Sequence, residues 1–192
     1  MQKILQNFTS KFKDISENSI QKFLNLATEE AYKKNEVISK IGEISKDFYI
    51  IKSGVVRSFY SDEKGKESIR TLFTPNKTTV SLASLISKKP SILTYDCLTD
   101  CVVYKFNFNE LKELATEDID IANLYCTMLE YLFLNMEDRI YDLTLLNATE
   151  KYLKLKDEIP EIENLIAQYH IASYLNITAV QLSRIRKEIY SK

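Results

Sequence analysis

The sequence predicts an α+β chain in three consecutive parts: an antiparallel β-barrel or jelly roll, one long helix, and a small all-α unit ending in a helix-turn-helix. Three observations carry this. Short β-rich runs crowd residues 35–108 and hold all three glycines. Residues 118–146 contain neither Gly nor Pro. Two short amphipathic runs then flank Asn176 near the C-terminal end.

The elements follow in order. Residues 14–32, DISENSIQKFLNLATEEAY, set Ile20, Phe23, Leu24 and Ala27 at helical spacing. The runs VISKI, DFYIIKSGVVRSFYS, ESIRTLFT and CLTDCVVYKFN read as strands, parted by turn signals at Asn35-Glu36, Gly42, Ser53-Gly54 and residues 62–65. No helix long enough to cross over between parallel neighbours lies among them, so antiparallel pairing is expected. Cys97 and Cys101, four apart on one expected strand, would face the same side, as core residues. NELKELA makes a short turn of helix.

A helix over residues 118–146 would be about 40 Å long, more than a domain of this size needs for its own core. Its apolar residues are Ile121, Leu124, Tyr125, Met128, Leu129, Leu132, Phe133, Met136, Ile140 and Leu143, and they cover more than one face. The expectation is a barrel on one side and a twin helix from a second copy on the other, with Leu124, Met128 and Leu132 at the contact. The plainer alternative is a central helix covered by the barrel alone.

The remaining segment divides into NATEKYLKLKDEI, a stop at Pro160, IENLIAQYHIASYL, a turn, and AVQLSRIRKEI. Ile171 and Leu175 make one apolar stripe, and Leu182, Ile185 and Ile189 another, so the two helices should pack on each other. Asn176 tolerates the left-handed backbone of a tight turn, and Thr178 with Gln181 forms a capping box. Ala172 permits a close crossing. Gln181, Ser183, Arg184 and Lys187 then share the polar face, with donors and acceptors suited to base edges and phosphates. Helical hairpins with no role in DNA binding have the same geometry.

Charge and composition narrow the function. The chain carries a net charge of −1, yet Arg184, Arg186, Lys187 and Lys192 stand against Glu188 alone after residue 164. Basic charge thus gathers at one end, as a local nucleic-acid footprint requires. Cys97, Cys101 and Cys126 form no CxxC pair, so reduced thiols are expected, with no disulfide framework, no metal site and no cofactor. His170, the one histidine, has no catalytic partner nearby in sequence, and an enzyme is not expected. No apolar run reaches the roughly 18 residues of a membrane span, and MQKILQNFTSKFKD lacks a signal peptide's apolar stretch, so a cytoplasmic location is expected.

The order of barrel, long helix and terminal helix-turn-helix resembles the Crp/Fnr family of bacterial transcription regulators over essentially the whole chain. Two stretches carry the resemblance. EISKDFYIIKSGVVRSFYSDEKGKE is similar to that family's cyclic-nucleotide-binding-like barrel, with a glycine turn at Gly54 between two apolar strands. IAQYHIASYLNITAVQLSRIRKE is similar to its DNA-reading unit.

The resemblance implies three parts: a sensor domain over 1–117, a dimerisation helix over 118–146 and a DNA-binding domain over 147–192. It implies a homodimer that meets double-stranded DNA through Thr178, Ala179, Gln181, Ser183, Arg184 and Lys187, with Arg184 reading a guanine. Ala179 and Val180 replace charged base readers of better-known members, so a different operator is expected. The stretch between Pro160 and Ile166 is too short for the two-stranded wing of many members.

Family members that bind cyclic nucleotides set a Glu against the ribose and an Arg against the phosphate. The matching stretch here, residues 78–96, has neither. Ser81, Ser84 and Ser91 stand near those places, and Lys88 or Lys89, or the amide groups at the start of SLASLI, would be left to meet an anion. The expected effector pocket is therefore degenerate and unlike one for cAMP, and its small-molecule effector is left open. A second reading keeps the barrel as a ligand- or protein-binding signalling module whose helical tail does not bind DNA.

Overall fold

The computed structural model describes residues 15–191; the opening stretch MQKILQNFTSKFKD and Lys192 lie outside them. Helix α1 covers Glu17–Asn25, shorter than the helical reading of residues 14–32. It starts where the Ser16 side chain accepts from the Ser19 N–H, and the chain then extends into strand β1, Thr28–Tyr32.

Seven more strands follow: β2 (Val37–Ser39), β3 (Asp47–Ser53), β4 (Val56–Ser61), β5 (Glu67–Phe73), β6 (Thr78–Thr79), β7 (Thr94–Cys97) and β8 (Cys101–Asn107). They form two antiparallel four-stranded sheets, β1-β8-β3-β6 and β2-β7-β4-β5. At the turn from β3 to β4, Gly54 has φ +89°, and a Cβ there would sit 2.4 Å from the Asp100 carbonyl oxygen. Glycine is therefore required on two counts. The CLTDC segment breaks where one strand was expected: Cys97 ends β7, Cys101 opens β8, and the two belong to different sheets.

Alternation along the strands serves three cores. Tyr49, Ile51, Val56, Cys97, Cys101 and Val103 meet between the sheets. The outer face of the first sheet, with Phe48, Ile50, Tyr104 and Phe106, packs on α1, on α3 (Phe108–Glu117) and on the first half of α4 (Ile119–Leu145). Phe23, Phe106 and Phe48 stack there with centroid spacings of 4.7 and 4.9 Å. The outer face of the second sheet, with Phe59, Ile69 and Leu72, packs on the C-terminal helices. Burial on both faces explains why β3 reads as a continuous apolar run from Phe48 to Ile51.

The Asp118 carboxylate joins the first helix to the long one. It caps α4 while accepting from Ser19 Oγ at 2.9 Å and from Lys22 Nζ at 2.7 Å. Beyond α4 come α5 (Ala148–Glu158), α6 (Ile162–Leu165), α7 (Gln168–Leu175) and α8 (Ala179–Tyr190). The short α6 occupies the interval judged too short for a wing.

The two halves of α4 differ. Ile121, Leu124 and Met128 lie buried in the chain's own core, against Phe23, Phe108 and Leu111. This corrects the assignment of Leu124 and Met128 to a subunit contact, because the outer face of the first sheet already covers them. Leu132 is half-buried, and from Phe133 onward the helix shows apolar side chains to solvent.

Candidate nucleic-acid interface and interior cavity

The two C-terminal helices meet through Ile171, Ala172, Leu175, Leu182 and Ile185, all buried. Asn176 takes the left-handed conformation between them, φ 55° and ψ 45°. At the start of α8 the Thr178 side chain accepts from the Gln181 N–H, and the Gln181 side chain accepts from the Thr178 N–H at 2.9 Å. The turn and its capping box are as expected from the sequence, since both rest on local chemistry.

Burying that seam turns the opposite face of α8 outward. Ala179, Val180, Gln181, Ser183, Arg184 and Lys187 are all exposed, and Thr178 stands exposed at the N-cap. Arg186 faces inward instead. It pairs with Glu163 of α6, whose carboxylate also accepts from Tyr152 Oη at 2.7 Å, Tyr190 Oη at 2.8 Å and Lys156 Nζ at 3.0 Å. Burial opposes the Glu163 charge, but those three donors and Arg186 outweigh it and hold the carboxyl at about 2. This carboxylate ties α8 to α5 and fixes which basic residues face solvent. Among the described residues, no ion pair uses Arg184 or Lys187.

A second polar cluster lies where these helices meet the barrel. Arg57 of β4 is 7% exposed and bonds both oxygens of Asp96, at 2.7 and 2.9 Å, and Glu67 at 2.6 Å, with its guanidinium over the Phe59 ring. A charge this buried requires such pairing. His170 of α7 lies within the field of this cluster, and burial together with the Arg57 charge pushes it below its ordinary value. The histidine thus sits half-buried at the barrel junction, its ring against Tyr169.

A half-open cavity of about 160 Å³ in the barrel is lined by Ser39, Ser45, Tyr49, Thr79, Ser81 and Tyr95, with Glu43, Lys46 and Asp47 also on its wall. Of the four residues expected to form an effector pocket, only Ser81 lines it. Ser91 donates to Ser81 at 3.0 Å, and Ser84 donates to the Lys89 carbonyl and accepts from the Ser45 N–H, so these serines fasten the loop around α2 (Leu82–Ser87). Lys88 points away, to Asn109 Oδ1 at 3.1 Å. Thr79 and Ser45, not anticipated from sequence, instead bring buried hydroxyls to the cavity wall.

The solvent side of α4 carries a regular pattern. Cys126, Leu129, Phe133, Met136, Ile140 and Leu143 recur at alternating steps of three and four. Leu129 is half-buried and the others are exposed, Phe133 at 59%. The spacing is visible in the sequence once the buried positions of the first half are set aside.

Comparison with known proteins places this geometry. Residues 29–118 match the family described as the cyclic nucleotide-binding domain. Among curated proteins nothing matches the chain. Among solved structures, FixK2 from Bradyrhizobium japonicum is similar with a TM-score of 0.76 at 22% identity, over 86% of this chain and 85% of that one. The c-di-GMP responsive global regulator CLP of Xanthomonas campestris gives 0.64 at 12% identity, over 92% of each chain. The Thermus thermophilus catabolite activator protein gives 0.53 at 17% identity, over 94% and 86%. At these identities the likeness is one of fold. Residues 29–118 thus have the fold of the cyclic nucleotide-binding domain, set in an α+β architecture shared along most of its length with FixK2 and CLP.

Proposed function

We propose that the protein is a homodimeric, DNA-binding transcription regulator of Crp/Fnr type, with residues 1–117 as sensor, 118–146 as dimerisation helix and 147–192 as DNA-reading unit. The observation that carries the reading is the outward face of α8, where Gln181, Ser183, Arg184 and Lys187 stand exposed while Leu182 and Ile185 are buried. Arginine offers guanine two parallel donors, and Ala179 and Val180 suit the methyl group of thymine. The architecture shared with FixK2 and with the global regulator CLP supports it.

Pairing of two chains falls to the second half of α4. An apolar seam stepping by three and four is the pattern of a two-stranded coiled coil. Its extent, from Cys126 to Leu143, would leave several large apolar side chains in water on a single chain.

The interior cavity is not built for cAMP. Its volume of about 160 Å³ is below the roughly 300 Å³ at which small-molecule pockets begin, and its lining holds no arginine. The cation on its wall, Lys46, stands with Glu43 and Asp47, whose charges oppose a buried cyclic phosphate. Titration calorimetry with cAMP and cGMP should give no heat of binding; c-di-GMP, to which CLP responds, is the third ligand to titrate.

Selection from random duplexes followed by titration at fixed salt tests the whole reading. Enrichment of an inverted repeat supports it. Failure to bind any duplex above background would favour a signalling module whose helical tail does not touch DNA.

A further inference from the structure

We propose that the end of the barrel formed by residues 37–46 and 82–92 is a docking surface for an anionic lipid bilayer, which it meets with four isoleucines and the lysines interleaved with them. Ile41, Ile44, Ile86 and Ile92 are all exposed, from 43% at Ile41 to 67% at Ile92. Hydrogen bonds gather them. The Gly42 N–H donates to the Ser91 carbonyl and the Ser91 N–H to that of Glu43, both at 2.8 Å, while the Ile41 N–H donates to Thr94 Oγ1 at 3.2 Å. Ser84 adds α2 to the same cap, since it accepts from the Ser45 N–H at 3.0 Å and donates to the Lys89 carbonyl at 2.6 Å. Four exposed isoleucines on one small cap mark a contact surface.

Charge decides what covers it. Within these two segments Lys40, Lys46, Lys88 and Lys89 stand against Glu43 alone, in a chain whose net charge is −1. All four lysines are exposed, and among the described residues none of them joins an ion pair. The next carboxylate, Asp47, is held by Lys105 at 3.5 Å. Aliphatic side chains for the acyl boundary, with ammonium groups for phosphate and carboxylate headgroups, are the chemistry of an interfacial membrane contact. Lysine stems are long enough to keep their charge at headgroup level while the isoleucines sit deeper. Shape agrees with charge. Gly42, at φ +86°, has open space where a Cβ would point, and Lys88 turns the chain in the left-handed conformation at the end of α2. The apolar side chains therefore stand on turns, which a sheet of headgroups reaches together, whereas a bound peptide needs a groove or a free strand edge.

The test uses the full chain and sedimentation with vesicles of phosphatidylcholine alone or of phosphatidylcholine mixed with phosphatidylserine. The protein should pellet with the mixed vesicles only, and added salt should release it. Lys89→Gln should lower partitioning roughly fivefold, and Ile92→Asp should abolish it while leaving the melting temperature unchanged, since Ile92 is exposed. The chain has no tryptophan, so Ile92→Trp supplies a single reporter. Its emission should shift to the blue on mixed vesicles and be quenched by brominated acyl chains. No pelleting with the mixed vesicles overturns the proposal, and so does pelleting with an unshifted Ile92→Trp emission, which assigns the contact to another basic face. Binding of polyglutamate as strong as that of vesicles, and insensitive to Ile92→Asp, overturns it too, because the lysines would then serve an acidic protein partner. None of these readouts involves DNA, so this surface and the DNA-reading role stand or fall separately.

Discussion

The Ile69 N–H donates to Ser173 Oγ at 3.0 Å, joining the edge strand of the second sheet to the first helix of the C-terminal pair. The bond matters because β5 ends its sheet, so its outward N–H groups have no strand to meet. Ser173→Ala should leave that amide unpaired in a half-buried setting and cost about 1 kcal/mol. Hydrogen exchange should report faster exchange at Ile69, while amides of β3 and β8 hold their rates. Unchanged exchange at Ile69 would show that the helix does not cap the strand.

Charge on the α4 seam should separate the chains. Ile140→Asp or Phe133→Asp would put an uncompensated carboxylate in a coiled-coil interface, and light scattering should then report monomers from a wild-type dimer. Met128→Asp should behave otherwise, unfolding the chain, because Met128 is buried in its own core. Parallel pairing in register would bring Cys126 opposite its copy, so mild oxidation should yield a chain-to-chain crosslink. A wild-type monomer at micromolar concentration ends this reading.

Three basic residues on one helix should respond differently. Arg184→Ala should cost roughly 1–3 kcal/mol at the selected site and relax preference at one base pair. Lys187→Ala should weaken all duplexes alike and lower the salt slope by about one. Arg186→Ala should chiefly lower stability, since that side chain holds Glu163. An unchanged motif and affinity for Arg184→Ala would remove it as a base reader.

Glu163 makes the C-terminal unit acid-sensitive. Its carboxyl is held at about 2, below the roughly 4.3 of an unfolded chain. The folded state therefore binds fewer protons, and the stabilisation is complete above that unfolded value and disappears as pH falls toward 2. Glu163→Gln should lose roughly 2 kcal/mol at neutral pH and show a flatter stability profile between about pH 4.5 and 2. Denaturant melts across that range decide it; parallel profiles for the two proteins would refute it.

Local chemistry made much of the chain legible in advance. The αL turn at Asn176, the Thr178–Gln181 box and the strand runs around Gly54 depend on neighbours in sequence, and each is where its residues indicated. The errors came from long-range packing. Leu124 and Met128 were assigned outward because an apolar stripe does not say which partner covers it. Lys88 was assigned to the pocket by proximity in sequence, yet its left-handed backbone at the end of α2 sends it toward Asn109. Arg57 with Asp96, and Glu163 with Tyr152, span 39 and 11 residues, and no local pattern announces such pairs.

The second sheet and the C-terminal helices share one hydrophobic cluster, in which Phe59, Ile69 and Leu72 touch the same core as Tyr152, Ile171 and Leu182. Three parts by resemblance are therefore fewer by cooperativity. A fragment ending at Leu146 would present a wet apolar sheet and aggregate, and a fragment beginning at Asn147 would lack the floor it folds against. Heating the intact chain should give a single calorimetric transition whose enthalpy matches its van't Hoff value. Engineers who wish to move the C-terminal helices onto another barrel must transplant the face of β4 and β5 along with them.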